Sequence, residues 1–160
     1  YLQGTKKQYL MDFIRMDNRE TVDLKTYLIQ FMDKHPECTI HVGCDSQNYA
    51  NVSVYATTIV LRYPKKGAHV LYRKEKLKRI NDMWSRLWNE IERSVELAQF
   101  IEDVCELPVH QVDLDFNEDP SFPSHKILNA ASGYVTSLGF MAKAKPNLLM
   151  ATWAANVLCH

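Results

Sequence analysis

The stretch Thr39–Gln47 constrains the fold of this chain most, because a strand pattern ends there in a carboxylate. Apolar and β-branched residues alternate with others up to Gly43, which is the pattern of a strand that leaves a buried core. Asp45 follows almost at once, with Ser46 and Gln47 behind it. A half-buried carboxylate at the end of a central strand is costly unless a cation meets it. The pattern therefore predicts that Asp45 is a metal ligand, with a carboxylate that caps a turn as the alternative.

The remaining hydrophobic periodicity predicts a single compact α/β domain with a mixed sheet, over residues 38–160, behind a helical extension over residues 5–37. In the extension, a short helical stripe lies near residues 9–14, and a second helix follows the N-cap Asp23 and ends before Pro36. The domain reads β-β-β-α-β-α-β-α, and its first three strands form an antiparallel meander. The later strands and helices are expected at residues 52–63, 68–76, 81–105, 109–116, 125–139, 140–145 and 148–158.

Composition limits the class of protein but does not decide its partner. Lys plus Arg and Asp plus Glu both number 19, so the net charge argues neither for nor against nucleic acid. The four cysteines are far apart, which excludes a zinc knuckle and a disulfide scaffold. No apolar run approaches membrane-spanning length, and no signal peptide is recognisable. We therefore expect a cytoplasmic protein with no membrane partner.

A second acidic position lies at the end of the fourth predicted strand. Asp113 and Asp115 are two residues apart, so their side chains point to the same face. A right-handed helical crossover can place this strand parallel to the first, which brings Asp45 and Asp115 to one edge of the sheet. Two carboxylates there are the smallest set of protein ligands that would hold Mg²⁺. We expect Asp115 to be the ligand, and Asp113 to be exposed or held in a salt bridge.

The long helix at residues 81–105 can supply a third carboxylate. Its apolar stripe includes Trp84 and Trp88, which we expect to be core residues. Glu90 and Glu92 flank this stripe on opposite sides, and periodicity alone does not choose between them.

Several short motifs resemble the YkuK-like family of predicted nucleases, which has a ribonuclease H fold. Gly43-Cys44-Asp45-Ser46-Gln47 and Leu114-Asp115-Phe116-Asn117 match in order along the chain. The tail is similar as well, through Ser132-Gly133-Tyr134, Gly139, Lys145-Pro146 and Ala151-Thr152-Trp153-Ala154-Ala155.

The resemblance implies two-metal hydrolysis of phosphodiesters with Mg²⁺ or Mn²⁺, and Asp45 and Asp115 as shared ligands. Glu90 matches the family's helix acid best. Sites of this type usually take a fourth acid from the last helix, but no carboxylate follows Asp119 in this chain. Asn156 is the nearest candidate for that place, and its neutral amide would make the second metal weaker.

A basic segment follows the second predicted strand and could contact a nucleic acid backbone. Its expected contact residues are Lys65, Lys66, Arg73, Lys74 and Lys76. The alternative is a solvated edge strand, where lysines block pairing with other chains.

Together these features predict a metal-dependent nuclease-like domain with RNA, DNA or a hybrid as its partner; homodimer formation is left open. A non-catalytic module on the same fold, which binds nucleic acid or protein, is the alternative that the missing fourth acid suggests. A phosphatase or other phosphotransferase is a third reading, weakened because the five glycines do not form a phosphate-binding loop.

Overall fold

The computed structural model describes residues 12–65, 67–117, 125–145, 151, 154 and 158. Within them, from residue 24 onwards, the strands and helices follow one another in the order that the hydrophobic pattern predicts. Their bounds are β1 (Asp12–Arg15), β2 (Thr21–Asp23), α1 (Leu24–Lys34), β3 (Thr39–Tyr49), β4 (Val52–Arg62), β5 (Ala68–Lys78), α2 (Met83–Asp103), β6 (Gln111–Asn117), α3 (His125–Ser137) and β7 (Ala142–Lys145).

The strands form one seven-stranded mixed sheet in the order β2-β1-β5-β4-β3-β6-β7. The predicted meander is confirmed, because β4 pairs antiparallel with both β3 and β5. The predicted parallel crossover is confirmed as well: α2 returns the chain so that β6 lies parallel beside β3, with His41 opposite Gln111. β7 then adds parallel to β6. The central strands β3, β4 and β6 therefore carry the buried core.

The helical stripe predicted near residues 9–14 is wrong for the part that the structure describes. Asp12–Arg15 is strand β1, which pairs antiparallel with β2 and with β5. Phe13 and Ile14 are adjacent apolar residues, which fit a helical pattern as well as a strand pattern. The edge of β5 provides backbone hydrogen-bond partners for this segment, so it forms a strand. The helical description of residues 5–37 therefore applies to α1, whose N-cap Asp23 accepts a hydrogen bond from the Thr26 backbone N–H at 3.1 Å.

The helix α2 packs one face on the sheet, as its periodicity predicts, and its first turn extends past that contact. Ile91, Val95 and Ala98 are buried, and Trp88 packs partly buried against the same core. Trp84 is 47% exposed, so the prediction that it is a core residue is wrong. The reason is position, since Trp84 lies in the first turn of α2, where the helix has only just left the loop at the end of β5.

Three described residues of the C-terminal part of the chain pack on the opposite face of the sheet. Ala151, Ala154 and Leu158 are helical, as expected for this segment. Ala151 and Ala154 pack against Val60, and Leu158 packs against Ala56. In the described ranges, no helix is long and apolar enough to cross a bilayer.

Candidate functional site

The two predicted strand acids lie at the same level of the sheet and on the same face. Asp45 and Asp115 each lie four residues beyond a paired position, which is His41 for β3 and Gln111 for β6. An even number of residues from a shared pair keeps both side chains on one face of the two parallel strands. Asp45 is 8% exposed, and its Oδ1 accepts a hydrogen bond from the Ser46 backbone N–H at 2.9 Å.

Glu90 approaches these acids from α2, on the other face of the sheet. Its carboxylate is 5% exposed, and Oε2 accepts a hydrogen bond from the Ser46 hydroxyl at 2.5 Å. Burial raises the pKa of Glu90 well above its usual value, and the negative charges of Asp45 and Asp115 raise it further, while the Ser46 hydrogen bond opposes them. Glu92 is exposed. Of the two glutamates that the periodicity left open, the structure therefore brings Glu90 to the strand acids.

Two contacts hold α2 in place on either side of Glu90. One turn before it, the backbone carbonyl of Arg86 accepts a hydrogen bond from the Tyr55 hydroxyl at 3.2 Å. One turn after it, the Arg93 guanidinium lies over the Tyr55 ring at 4.4 Å and donates to Glu75 at 3.0 Å. Burial raises the pKa of Tyr55 to about 12, so this phenol stays protonated and keeps its donor. A buried tyrosine of β4 thus contacts α2 on both sides of Glu90.

Asp113 is buried, whereas the sequence predicts that it is exposed or held in a salt bridge. It is 2% exposed, and its two carboxylate oxygens accept hydrogen bonds from Gln111 Nε2 at 2.6 Å and from the Ala151 backbone N–H at 2.9 Å. The expectation of exposure is wrong, because Ala151 of the C-terminal segment contacts this carboxylate. Asp113 links that segment to the sheet, beside the acids.

The donor chemistry of the site fits a hard divalent cation. Asp45, Glu90 and Asp115 offer carboxylate oxygens, the ligands that Mg²⁺ and Mn²⁺ prefer. Among the described residues, however, no three His, Cys, Asp or Glu side chains are grouped closely enough to hold an ion as they are placed. Asn156, the predicted fourth ligand, lies outside those residues. Asp45 and Asp115 both act electrostatically on Glu90, but the three carboxylates do not form a closed coordination site as they are placed.

The predicted basic residues do not share one surface. Lys74 lies opposite Ala56, which lies opposite Asp45, so Lys74 is on the Asp45 face about 10 Å away across two strands. Lys76 follows on the same face. Arg73 points to the other face, where burial lowers the pKa of its guanidinium. Lys65 lies in the turn at the far end of the sheet, and Lys66 lies outside the described residues.

The chain matches the family model described as Ribonuclease H-like over residues 23–159. It belongs to the ribonuclease H-like family. The matched range contains strands β3 to β7 and all three carboxylates of the site. No curated protein and no solved structure matches the chain. The narrower resemblance to the YkuK-like proteins stays a prediction.

Sequence reasoning missed the residues that position the site. The sequence places Ser46 in a motif and in a turn that Asp45 could cap, but it does not predict that the Ser46 hydroxyl donates to Glu90 while its backbone N–H donates to Asp45. Tyr55 carried no signal, because its role depends on how α2 docks on β4. Arg93 lies three residues after Glu90, a spacing that places both on neighbouring positions of one helix surface and could have indicated it.

Proposed function

We propose that this protein is a metal-dependent nuclease that hydrolyses phosphodiester bonds, with Asp45, Glu90 and Asp115 as its metal-binding and catalytic carboxylates. One observation supports the assignment above the others. The buried carboxylate of Glu90 lies within electrostatic reach of both strand acids, which stand at the same level on the neighbouring parallel strands β3 and β6. Negative charge concentrated in this way, in a ribonuclease H-like chain, suits a divalent cation.

Each residue has a distinct part in the proposed site. Asp45 and Asp115 present oxygens from neighbouring strands, and Glu90 presents one from the helix that packs across them. The Ser46 hydroxyl holds one oxygen of Glu90 and leaves the other carboxylate oxygen for a ligand. A divalent cation held by these carboxylates supplies the Lewis acidity that phosphodiester hydrolysis needs. Asn156 is proposed as the fourth, neutral ligand, and Lys74 and Lys76 as contacts to the nucleic acid backbone.

Metal binding is tested by thermal and urea unfolding of the whole chain with and without Mn²⁺. At about one hundred times its Kd, a bound ion stabilises the native state by about 2.7 kcal/mol. The Asp45→Asn and Glu90→Gln variants should lose this gain. Each should also be at least as stable as wild type without metal, because the substitution removes repulsion between like charges. Glu92→Gln is the matched control, as it makes the same change at an exposed position of the same helix.

Cleavage is tested with labelled single strands, an RNA–DNA hybrid and a branched duplex, in Mg²⁺ and in Mn²⁺. We expect one substrate to be cleaved by wild type and by Glu92→Gln, and by neither Asp45→Asn nor Asp115→Asn. Activity that survives both aspartate substitutions would refute the assignment of these residues.

A non-catalytic module that binds nucleic acid is the second candidate. It is favoured by one observation, the lack of any carboxylate after Asp119, which leaves the site without the fourth charge typical of two-metal chemistry. Salt-sensitive binding without cleavage of any substrate in the panel would select this candidate.

A further inference from the structure

We propose that the cavity between α3 and β7 binds one nucleotide unit, with its base against α3 and its phosphate at Lys143. This goes beyond the proposed function, because it assigns a site outside the three carboxylates and requires neither a metal ion nor cleavage. The cavity has a volume of about 420 Å³, which is within the range of pockets that bind small molecules. Four polar residues line it together with Leu128 and two alanines; they are His125, Asn129, Ser132 and Lys143.

Three of the polar residues form one stripe on α3. His125, Asn129 and Ser132 are spaced by four and three residues, so their side chains lie on one face of the helix. This stripe borders one side of the buried apolar stripe of α3. On the other side of that apolar stripe, Tyr134 contacts Trp88 of α2, with 5.7 Å between the ring centroids. The polar stripe therefore faces away from α2, towards the outer edge of the sheet.

The strand β7 forms the other wall of the cavity, and it is the last strand in the order of the described sheet. Lys143 lies opposite Asp113 of β6, and Ala144 lies opposite Leu114. At an edge strand, residues of either face can border the same cavity, as Lys143 and Ala144 do. Asp115 directly follows Leu114, and neighbouring strands are about 5 Å apart. The cavity therefore lies one strand away from a proposed metal ligand, within reach of a nucleic acid bound there.

The polar side chains of the cavity are not engaged with other described residues. The Asn129 amide, the Ser132 hydroxyl and the Lys143 ammonium make no hydrogen bond or ion pair within that part of the chain. The Nδ1 atom of His125 is buried and has no hydrogen-bond partner there either. Buried polar atoms rarely stay unpaired in native proteins. These groups are therefore available to a ligand.

The chemistry of the lining matches a nucleotide better than a simple anion or an apolar ligand. Lys143 supplies a positive charge for a phosphate, and none of the described residues that line the cavity is acidic. The Asn129 amide both donates and accepts hydrogen bonds, so it can pair with the edge of a base. Leu128 and the two alanines provide an apolar surface for the flat ring.

The test is isothermal titration calorimetry of the whole chain in EDTA with the four nucleoside 5′-monophosphates, the matching nucleosides and inorganic phosphate. We expect at least one monophosphate to bind about ten- to a hundredfold more tightly than its nucleoside, because only the monophosphate reaches Lys143 with a charge. Inorganic phosphate should bind more weakly than that monophosphate, since it lacks the base.

Two substitutions separate the contacts of the phosphate from those of the base. Lys143→Gln should remove most of the difference between the monophosphate and its nucleoside. Asn129→Ala should weaken both ligands by about two- to tenfold and change which base is preferred. Lys126→Gln is the matched control and should bind like wild type, because Lys126 is an exposed cation of α3 that does not line the cavity.

Inorganic phosphate that binds as tightly as every monophosphate would overturn the inference, since the cavity would then be a simple anion site. Equal affinity in wild type, Lys143→Gln and Asn129→Ala would overturn it too, because the nucleotide would then bind elsewhere. The same holds if no monophosphate binds.

The source of the nucleotide is found by fluorescence anisotropy with a labelled single-stranded oligonucleotide, also in EDTA. Competition by the preferred monophosphate would assign the cavity to one nucleotide of a bound strand. Oligonucleotide binding that the monophosphate leaves unchanged would assign it to a free mononucleotide. If the monophosphate binds as expected while no substrate is cleaved, the nuclease proposal fails and the nucleotide site stands.

Discussion

Replacement of Asp113 by alanine should destabilise the protein strongly, because it removes the acceptor of two buried hydrogen bonds. The carboxylate accepts from Gln111 Nε2 at 2.6 Å and from the Ala151 backbone N–H at 2.9 Å. A buried donor left without its acceptor costs about 1–3 kcal/mol, so the two together predict a loss of about 2–6 kcal/mol in the free energy of unfolding. That is a large part of the stability of an ordinary domain.

The assay is urea denaturation followed by far-UV circular dichroism, with the slope and the midpoint both measured. Asp113→Asn keeps the size of the side chain and one acceptor oxygen, and it turns an amide N–H₂ towards the other donor. Its expected loss is therefore smaller, about 1–2 kcal/mol. Asp33→Ala removes an exposed carboxylate from α1 and should change the stability by less than about 0.5 kcal/mol.

The reasoning is refuted if Asp113→Ala costs no more than Asp33→Ala. It is refuted too if Asp113→Asn keeps the wild-type stability but abolishes stabilisation by Mn²⁺, since Asp113 would then act as a ligand and not as a link to the C-terminal segment.

Two further predictions concern protonation and backbone conformation. Burial lowers the pKa of His41 to about 4, and the charges of His110 and Arg62 have smaller effects in the same direction. In the native state this histidine stays neutral down to about pH 4, whereas in the unfolded chain it is protonated below about pH 6.5. The associated stability is present above that pH and is lost as the pH falls towards 4; after allowance for solvent screening we expect a loss of about 1–2 kcal/mol. Urea titrations at pH 7.5 and 4.5 should show a weaker pH dependence for His41→Phe than for wild type, and parallel profiles would contradict the prediction. Gly139 follows α3 with a φ of +90°, so Gly139→Ala should lower the free energy of unfolding by about 1–2 kcal/mol. Gly133 lies inside α3, so Gly133→Ala should raise the free energy of unfolding by about 0.5–1 kcal/mol. Thermal unfolding that shifts the melting temperatures of both variants in the same direction would argue against this account.

The central sheet could be predicted from the sequence because its strands have strong and separate signals. β3 and β4 are long and rich in β-branched residues, and a helical crossover allows β6 only a few places beside them. Because β3 and β6 are neighbouring parallel strands, this topology also predicts that Asp45 and Asp115 lie side by side. Strand β1 was missed because four residues do not distinguish a period of two from one of 3.6, and its partner β5 lies more than fifty residues away along the chain.

Only the part of the candidate site that depends on strand pairing, the position of Asp45 beside Asp115, could be predicted from the sequence. The choice between Glu90 and Glu92 depends on how α2 docks, which involves the Tyr55 hydroxyl and the Arg86 carbonyl, and no local pattern encodes that contact. The environment of Asp113 depends on Ala151, far away in the chain, so alternation predicted its face but not what covers it.

The contacts of Ala151 and Leu158 also separate two parts of one sheet face. Its backbone N–H is bonded to Asp113, and its carbonyl accepts a hydrogen bond from the Thr58 hydroxyl at 2.6 Å. Seven residues on, Leu158 packs against Ala56, the fully buried residue that lies between Asp45 and Lys74 in one cross-strand row. Leu158 therefore covers the middle of this row, and a nucleic acid bound at the carboxylates reaches Lys74 only by passing around Leu158.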